Sequence, residues 1–406
     1  MSAFAFRDHA AATPARSGPA ALDWTAQATG LDAAEAAWRA LEEHGHVTPY
    51  QRFDWVSAFA RHAMDGAALR VVTFRASCGR PMAVLPFALW RWRGITLAAF
   101  VGGKHANFHM GVYAKGAMAG LTAADARAML EACARALGGV DAFMLTNQPV
   151  AWDGGRNPLA LLEARPSPSQ AFKLALSGDG DATIRKAMSR HARKKHKTKR
   201  ARFLEMGPSR HFIARSDADK ERILEAFLRQ KSQRFSAMGV HDPFQHPGIR
   251  AFLRCASGLD GQAEALELAA LELNGVLIAT YVGAVSQGRF SGMATSFEPD
   301  PGVIKVSPGE LLLVDLIRQQ CAAGRSCFDL GVGEARYKTT ICEQTEELVD
   351  SFVAMSGRGQ IVAAVLRLAQ QAKGAVKRSP RLHALAMRVS QLRRLFTPRA
   401  AGASQA

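Results

Sequence analysis

The stretch that decides the fold is Arg289–Cys342, RFSGMATSFEPDPGVIKVSPGELLLVDLIRQQCAAGRSCFDLGVGEARYKTTIC. It reads as a strand (Arg289–Ser296), a loop, a tight Ser307-Pro308-Gly309 turn and then a helix. Apolar residues Leu311, Leu312, Val314, Leu316 and Ile317 give that helix its packing face, and it stops near Gly324. A short strand, Cys327–Leu330, follows, and then a Gly-rich loop with Glu334, Arg336, Tyr337 and Lys338. A helix that starts in a turn containing glycine leaves its first backbone N–H groups unpaired and pointing outward, an arrangement that attracts phosphate-like anions.

Outward from this stretch, the pattern extends in both directions. Strands are expected at Ala265–Leu273, Val276–Val285 and Arg289–Ser296, with Asn274-Gly275 as a type I′ hairpin turn, and a last strand at Leu348–Ala354. Before them lie helices over Ile184–Met206, Asp219–Phe235 and Pro247–Ala256. The first half repeats the order. Helices at Asp32–His44 and around Trp55 and Phe59 precede strands at Leu69–Phe74, Met82–Trp90 and Ile95–Val101. A Gly102–His109 loop, a helix at Ala123–Leu137 and a strand at Ala142–Thr146 come next. The similarity is one of pattern, with no residue-level repeat. Four prolines between Asn147 and Ser169, with Gly154 and Gly155, mark a linker. The expected division is therefore residues 1–31 disordered, 32–150 a first unit, 151–170 a linker, 171–356 a second unit and 357–406 a basic helical tail. The fold class is α/β, with α+β-type mixed sheets.

Composition narrows the function. Hydrophobic residues make up 48% of the 406-residue chain, ordinary for a globular protein. The six cysteines form no CxxC pair, so neither a zinc module nor a disulfide framework is expected, and no metal site is assigned. No export signal and no 18-residue apolar run is read, which makes the cytoplasm the expected location. The net charge of +17 is concentrated. Arg185–Arg202 holds ten Lys/Arg and no acid, and Ser351–Ala406 holds ten more, again with no acid. Such clusters suit an anionic partner or simply a solvated helix face.

The order strand, strand, strand, glycine turn, helix, strand resembles the core of the GNAT acyltransferase fold. The wording is similar to one branch, the CelD/BcsL acetyltransferases linked to cellulose biosynthesis, and through them to the FemABX transferases with two tandem GNAT-like units. Four stretches carry the resemblance: Tyr50-Gln51-Arg52-Phe53-Asp54-Trp55; the basic helix with Arg190, Arg193, Lys194, Lys199 and Arg200; Ser307–Leu312; and Phe328–Gly333 closing on Tyr337-Lys338. It implies two tandem GNAT-like acyl-CoA N-acyltransferase units. It also implies transfer from acetyl-CoA or another acyl-CoA to a sugar or envelope-precursor acceptor. The Arg/Gln-x-x-Gly-x-Gly/Ala phosphate loop of GNAT enzymes is absent, and FemABX relatives use an aminoacyl-tRNA donor, so that donor stays open. So does a non-catalytic role at the membrane surface.

Direct attack of an amine on a thioester needs a proton acceptor, an oxyanion site and a proton for the thiolate. The candidates are Asp329 and Glu334 as carboxylates and Tyr337 as acid. Ser307, Gly309, Glu310, Leu311 and Lys338 are expected to hold the donor. His105, Asn107 and His109, with Asp242, are expected to line the acceptor groove between the units. The basic helices 185–202 and 362–396 are the expected contacts for tRNA or for an anionic membrane surface, the latter placing the chain peripherally at the inner face of the membrane.

Overall fold

Asn274 and Gly275 both adopt positive φ, as a type I′ turn requires, and from this hairpin the second sheet grows. We describe the chain from a computed structural model covering residues 23–333, 338, 341–342 and 344–378, with side chains to residue 372. The first half runs β1 (Trp24–Thr29), α1 (Leu31–His44), α2 (Phe53–His62), β2 (Ala68–Ala76), β3 (Pro81–Trp92), β4 (Ile95–Phe100), β5 (Val112–Tyr113), α3 (Ala123–Ala136) and β6 (Ala142–Pro149). Short strands β7 (Ala151–Trp152), β8 (Gly155–Arg156) and β9 (Arg165–Pro166) connect it to the second half. That half runs β10 (Ala171–Ala175), α4 (Gly180–Ala187), α5 (Arg190–Glu205), β11 (Ser209–Ile213), α6 (Asp217–Ala237) and α7 (Pro247–Ala256). It continues through β12 (Leu266–Leu273), β13 (Val276–Ser286), β14 (Arg289–Phe297), α8 (Pro301–Ile304), α9 (Pro308–Ala322), β15 (Cys327–Val332), β16 (Gln344–Glu346), β17 (Leu348–Ala354) and α10 (Gly357–Arg378).

The strands form two mixed sheets of the same design. In the first, the order is β1-β2-β3-β4-β6-β17-β9; in the second, β11-β12-β13-β14-β15-β10-β16. In each, four antiparallel strands end on a parallel pair, β4 with β6 or β14 with β15. A parallel neighbour needs a crossover, and α3 and α9 supply it. The expected architecture of tandem GNAT-like units is what the two sheets display.

The strand beyond each parallel pair is distant from it in sequence, and one of the two comes from the other half. β10 follows β6 in sequence but pairs antiparallel with β15. β17 follows β15 but pairs antiparallel with β6. The last strand, expected within the second unit, thus completes the first sheet. Three further expectations are corrected. Residues 24–29, expected to be loose, form β1 and pair with β2. The 151–170 linker is ordered, with β9 on β17 and Leu159 fully buried. The helix expected over 184–206 is two helices, because Ser189 accepts a hydrogen bond from the Ala192 N–H and starts α5 afresh.

Two cores result. One joins α4, α5 and α9 to one face of the second sheet through Leu311, Leu312, Val314, Tyr281, Phe290 and Phe328. The other runs unbroken from the first unit (Trp38, Tyr50, Trp55, Phe108) to the opposite face of the second sheet (Val282, Ala284), taking in Phe227 of α6 and Phe252 of α7. The Tyr50–Trp55 stretch is the seam. Arg52 donates to the Val285 carbonyl at 3.1 Å, and the Trp55 ring stacks on Phe59 and meets Phe252 edge-on.

Candidate active site

β14 and β15 pair at Arg289–Cys327, Phe290–Phe328 and Ser291–Asp329, and then part. Asn107, from the loop after β4, fills the fork. Its Nδ2 donates to the Gly292 carbonyl at 2.9 Å, and its Oδ1 accepts from the Val332 N–H at 3.2 Å. One side-chain amide therefore replaces the ladder bond the diverging strands can no longer make. Gly331, at φ +72°, makes room for it. A Cβ there would lie 2.5 Å from both Asn107 Nδ2 and the Gly292 carbonyl oxygen, so only glycine fits.

Behind the fork lies a buried chain of hydroxyls. Ser291 Oγ donates to Asp329 Oδ1 at 2.7 Å, and the Gly331 N–H donates to the same oxygen at 3.1 Å. With its proton spent, Ser291 accepts from Tyr50 Oη at 2.8 Å, and Tyr50 accepts from Asn107 Nδ2 at 2.5 Å. Burial lifts the Asp329 carboxyl to about 6 against the opposing pull of Arg289 and its hydrogen bonds. Burial, and then the Asp329 charge, also push the Tyr50 phenol up. Asp329 Oδ2 has no hydrogen-bond partner among the described residues, and the Arg289 guanidinium stands 3.9 Å away. Arg289 lies 3.9 Å over the Trp152 ring and pairs with Glu346 at 3.4 Å, and Glu346 also pairs with Lys173 of β10 at 2.9 Å. Lys338 donates to the Gly331 and Val332 carbonyls, both at 3.1 Å, and burial lowers its ammonium to about 8. Glu334 and Tyr337 lie outside the described residues.

Two clefts flank β14. Tyr281 pairs with Thr295 and Val282 with Ala294, so adjacent pairs face opposite sides of the sheet. On the Tyr281–Thr295 side, a cleft of about 410 Å³ runs between β14 and the start of α9, lined by Arg234, Phe297, Ile304, Ser307, Gly309 and Leu313 among others. Ser307 sits in the left-handed region and makes no side-chain cap, which leaves the helix start facing the cleft. Of the expected donor residues, Ser307, Gly309 and Glu310 line this space. Leu311 is fully buried in the core beneath it, and Lys338 serves the fork instead. His196 and Lys199 of α5 hold the Glu310 carboxyl below its usual range, and Arg200 pairs with Asp315.

On the opposite side, a cleft of about 150 Å³ is walled by His105, Asn107, Phe244, Val282, Met293 and Ala294, among others. It adjoins a second cleft of about 400 Å³ between the units, which shares Lys104, His105 and Pro243. A bulge in β14 leaves Met293 without a partner across the ladder. Burial lowers the His105 imidazole to about 4, so it is neutral at physiological pH. His105 and Asn107 thus reach the inter-unit groove, while two other expected acceptor residues do not. His109 is buried, its Nδ1 donating to the Thr146 carbonyl at 2.9 Å. Asp242 caps a short 3₁₀ turn by accepting from the Phe244 N–H at 2.9 Å. No group of His, Cys, Asp and Glu suited to a metal occurs among the described residues. Tyr50, Ser291 and Arg289 carried no expected chemical role from the sequence. The only signal for Tyr50 was its place in the Tyr50–Trp55 stretch.

Residues 190–339 match the acetyltransferase (GNAT) domain family. No curated protein matches the chain in sequence. Among solved structures, FemX superposes at TM-score 0.57 and 11% identity, over 80% of this chain and 96% of its own. The C-terminal domain of an Agrobacterium fabrum protein named as a lysylphosphatidylglycerol synthetase reaches 0.51 at 10% identity, over 84% and 96%. A Bacteroides thetaiotaomicron protein of unknown function reaches 0.50 at 10%, over 81% and 98%. These likenesses are of fold. The matched stretch holds β14, β15 and the open helix start of α9, and the match to a GNAT acetyltransferase domain supports an acyltransferase.

Proposed function

We propose that the chain moves an acyl group from acetyl-CoA or another acyl-CoA to an amine or hydroxyl of a sugar, polysaccharide or envelope precursor, as its resemblance to the CelD/BcsL acetyltransferases implies. One observation carries this reading: a helix start without a side-chain cap opens on a cleft along one face of β14, and a second cleft lies along the opposite face of the same strand. The first cleft suits a thioester donor. Its apolar wall of Phe297, Ile304 and Leu313 would take the pantetheine and acyl chain, and the Gly309 N–H with Arg234 would take phosphate. The acceptor would come through the inter-unit groove past His105.

In a ternary complex the acceptor's lone pair attacks the thioester carbonyl, the C–S bond breaks and the thiolate takes up a proton. The Met293 N–H is the donor suited to the developing oxyanion. Asp329 acts as a positioning residue, fixing Ser291, Tyr50 and the Gly331 turn, and Lys338 holds the same turn from the other side. Glu334 and Tyr337 remain the candidates for proton transfer, on sequence grounds. No helix of the described residues is long and apolar enough to cross a membrane; we assign the chain to the cytoplasm, peripheral to the membrane's inner face. Calorimetry with acetyl-CoA and longer acyl-CoAs is the test, and no heat of binding with any of them would remove the coenzyme A reading.

A second reading, an aminoacyl-tRNA donor, is favoured by α5. It lies against α9 through Lys199 and Arg200 and exposes Lys194, Lys195 and Lys197 beside the donor cleft. Steeply salt-dependent tRNA binding, weakened by charge reversal at those three lysines, would favour it.

A further inference from the structure

The turn between β3 and β4 carries Trp90-Arg91-Trp92-Arg93, all four exposed, with Trp92 65% accessible and the Arg93 guanidinium resting on its ring. Large aromatic side chains are rarely left this open on a hairpin tip that nothing covers. Beside it starts α10, since a Cβ on Gly94 would lie 3.6 Å from Arg358 Nη1. On the same side of α10 as Arg358, one turn on, is Ile361, followed by Val365 and Leu368. They are 69%, 59% and 65% accessible. The outer face between Gly359 and Ala372 carries no charge, because its one cation, Arg367, turns inward to Glu163 and to the Phe352 carbonyl at 2.7 Å. The result is an apolar stripe with Trp and Arg at one end, in a segment that has ten Lys/Arg and no acid from Ser351 onward.

We propose that this surface docks on a bilayer containing anionic phospholipids. The stripe would enter the boundary between headgroups and acyl chains, the two tryptophans would sit at headgroup level, and the cations around them would pair with lipid phosphate. Charge argues for this occupant over the others. A second copy would set two strongly basic tails face to face, and the chain's own tail is equally basic. The proposal does not depend on the acyl-transfer reading, because its readout needs no donor.

The test is sedimentation of the full chain with vesicles of phosphatidylcholine alone or mixed with phosphatidylglycerol. Binding is expected to the mixed vesicles, to fall with added salt, and to blue-shift tryptophan emission. Substituting Ile361→Glu together with Leu368→Glu should lower partitioning at least about tenfold while leaving the circular dichroism spectrum and the melting temperature intact. Trp92→Phe should remove most of the emission shift. The proposal is overturned by any of four results: no sedimentation, equal binding to neutral vesicles, binding unchanged in the double variant, or an apolar stripe that the variants show to hold a dimer together.

Discussion

The two sheets pose the same geometric problem, a parallel pair of strands that parts after three paired residues, and solve it differently. In the first sheet the pairs are Leu97–Ala142, Ala98–Phe143 and Ala99–Met144. In the second they are Arg289–Cys327, Phe290–Phe328 and Ser291–Asp329. Where the first fork has Ala99 and Met144, the second has a serine and a buried carboxylate. The crossover helices differ in the same sense. α3 closes its own N-terminus with a capping box, Thr122 accepting from the Asp125 N–H while the Asp125 carboxylate accepts from the Thr122 N–H. α9 begins at Ser307 with no side-chain cap and opens on a cleft. One fork is apolar and the other carries buried polar groups. The two sheets share one frame, and polar residues at a few equivalent positions distinguish the second from the first.

The largest effect expected from breaking this contrast is at the wedge. Asn107→Leu leaves the Gly292 carbonyl and the Val332 N–H buried without partners, which should cost about 2–3 kcal/mol of stability in urea titrations and abolish transfer. A variant of native stability would show that the fork does not need the first unit's side chain.

Next in size is Asp329→Asn, which gives the second fork a neutral residue as the first has. Both hydrogen bonds go to Oδ1, so asparagine can keep them. Because the folded carboxyl is raised to about 6, above its unfolded value, its contribution to stability is full at low pH and is lost as pH rises through 6. The variant should therefore exceed the parent by about 3 kcal/mol at pH 7, with the gap closing near the unfolded pKa of about 4. Turnover should fall. Equal stability at every pH would sink this account of the carboxyl.

The smallest effect on the fold, though not on binding, is expected from Gly309→Asp, which imitates the self-capped α3. A carboxylate in the first turn should leave the melting temperature unchanged or slightly raised, and weaken acyl-CoA binding about tenfold by meeting its phosphates with like charge. Unaltered affinity would move the donor away from this helix start.

Much of this was legible in the sequence, and the limits are physical. Gly-containing turns, alternating strands and the amphipathic α9 depend on neighbours in sequence, so the meanders and the Ser307–Glu310 cleft wall could be read directly. Asn107 was found through its loop, although its wedge between β14 and β15 could not be foreseen. Tyr50 and Ser291 are 241 residues apart and meet only because the first unit covers one face of the second sheet. No local pattern encodes that. Asp242 shows the opposite limit: a polar residue next to a proline reads equally well as a ligand or as a turn cap, and here it is the cap. The destination of β17 was invisible for a related reason, since a strand's pattern does not say which sheet it joins.

The placement of β10 and β17 orders events during synthesis. When β6 leaves the ribosome, its partner β17 is still about two hundred residues downstream in the message and not yet made. The first sheet therefore waits with an open edge, while β10, made soon after it, waits for β15. The second sheet can close once β15 and β16 are made, but the first cannot, and a chain that stops short of Leu348 loses the closing strand of its first sheet as well as its own end.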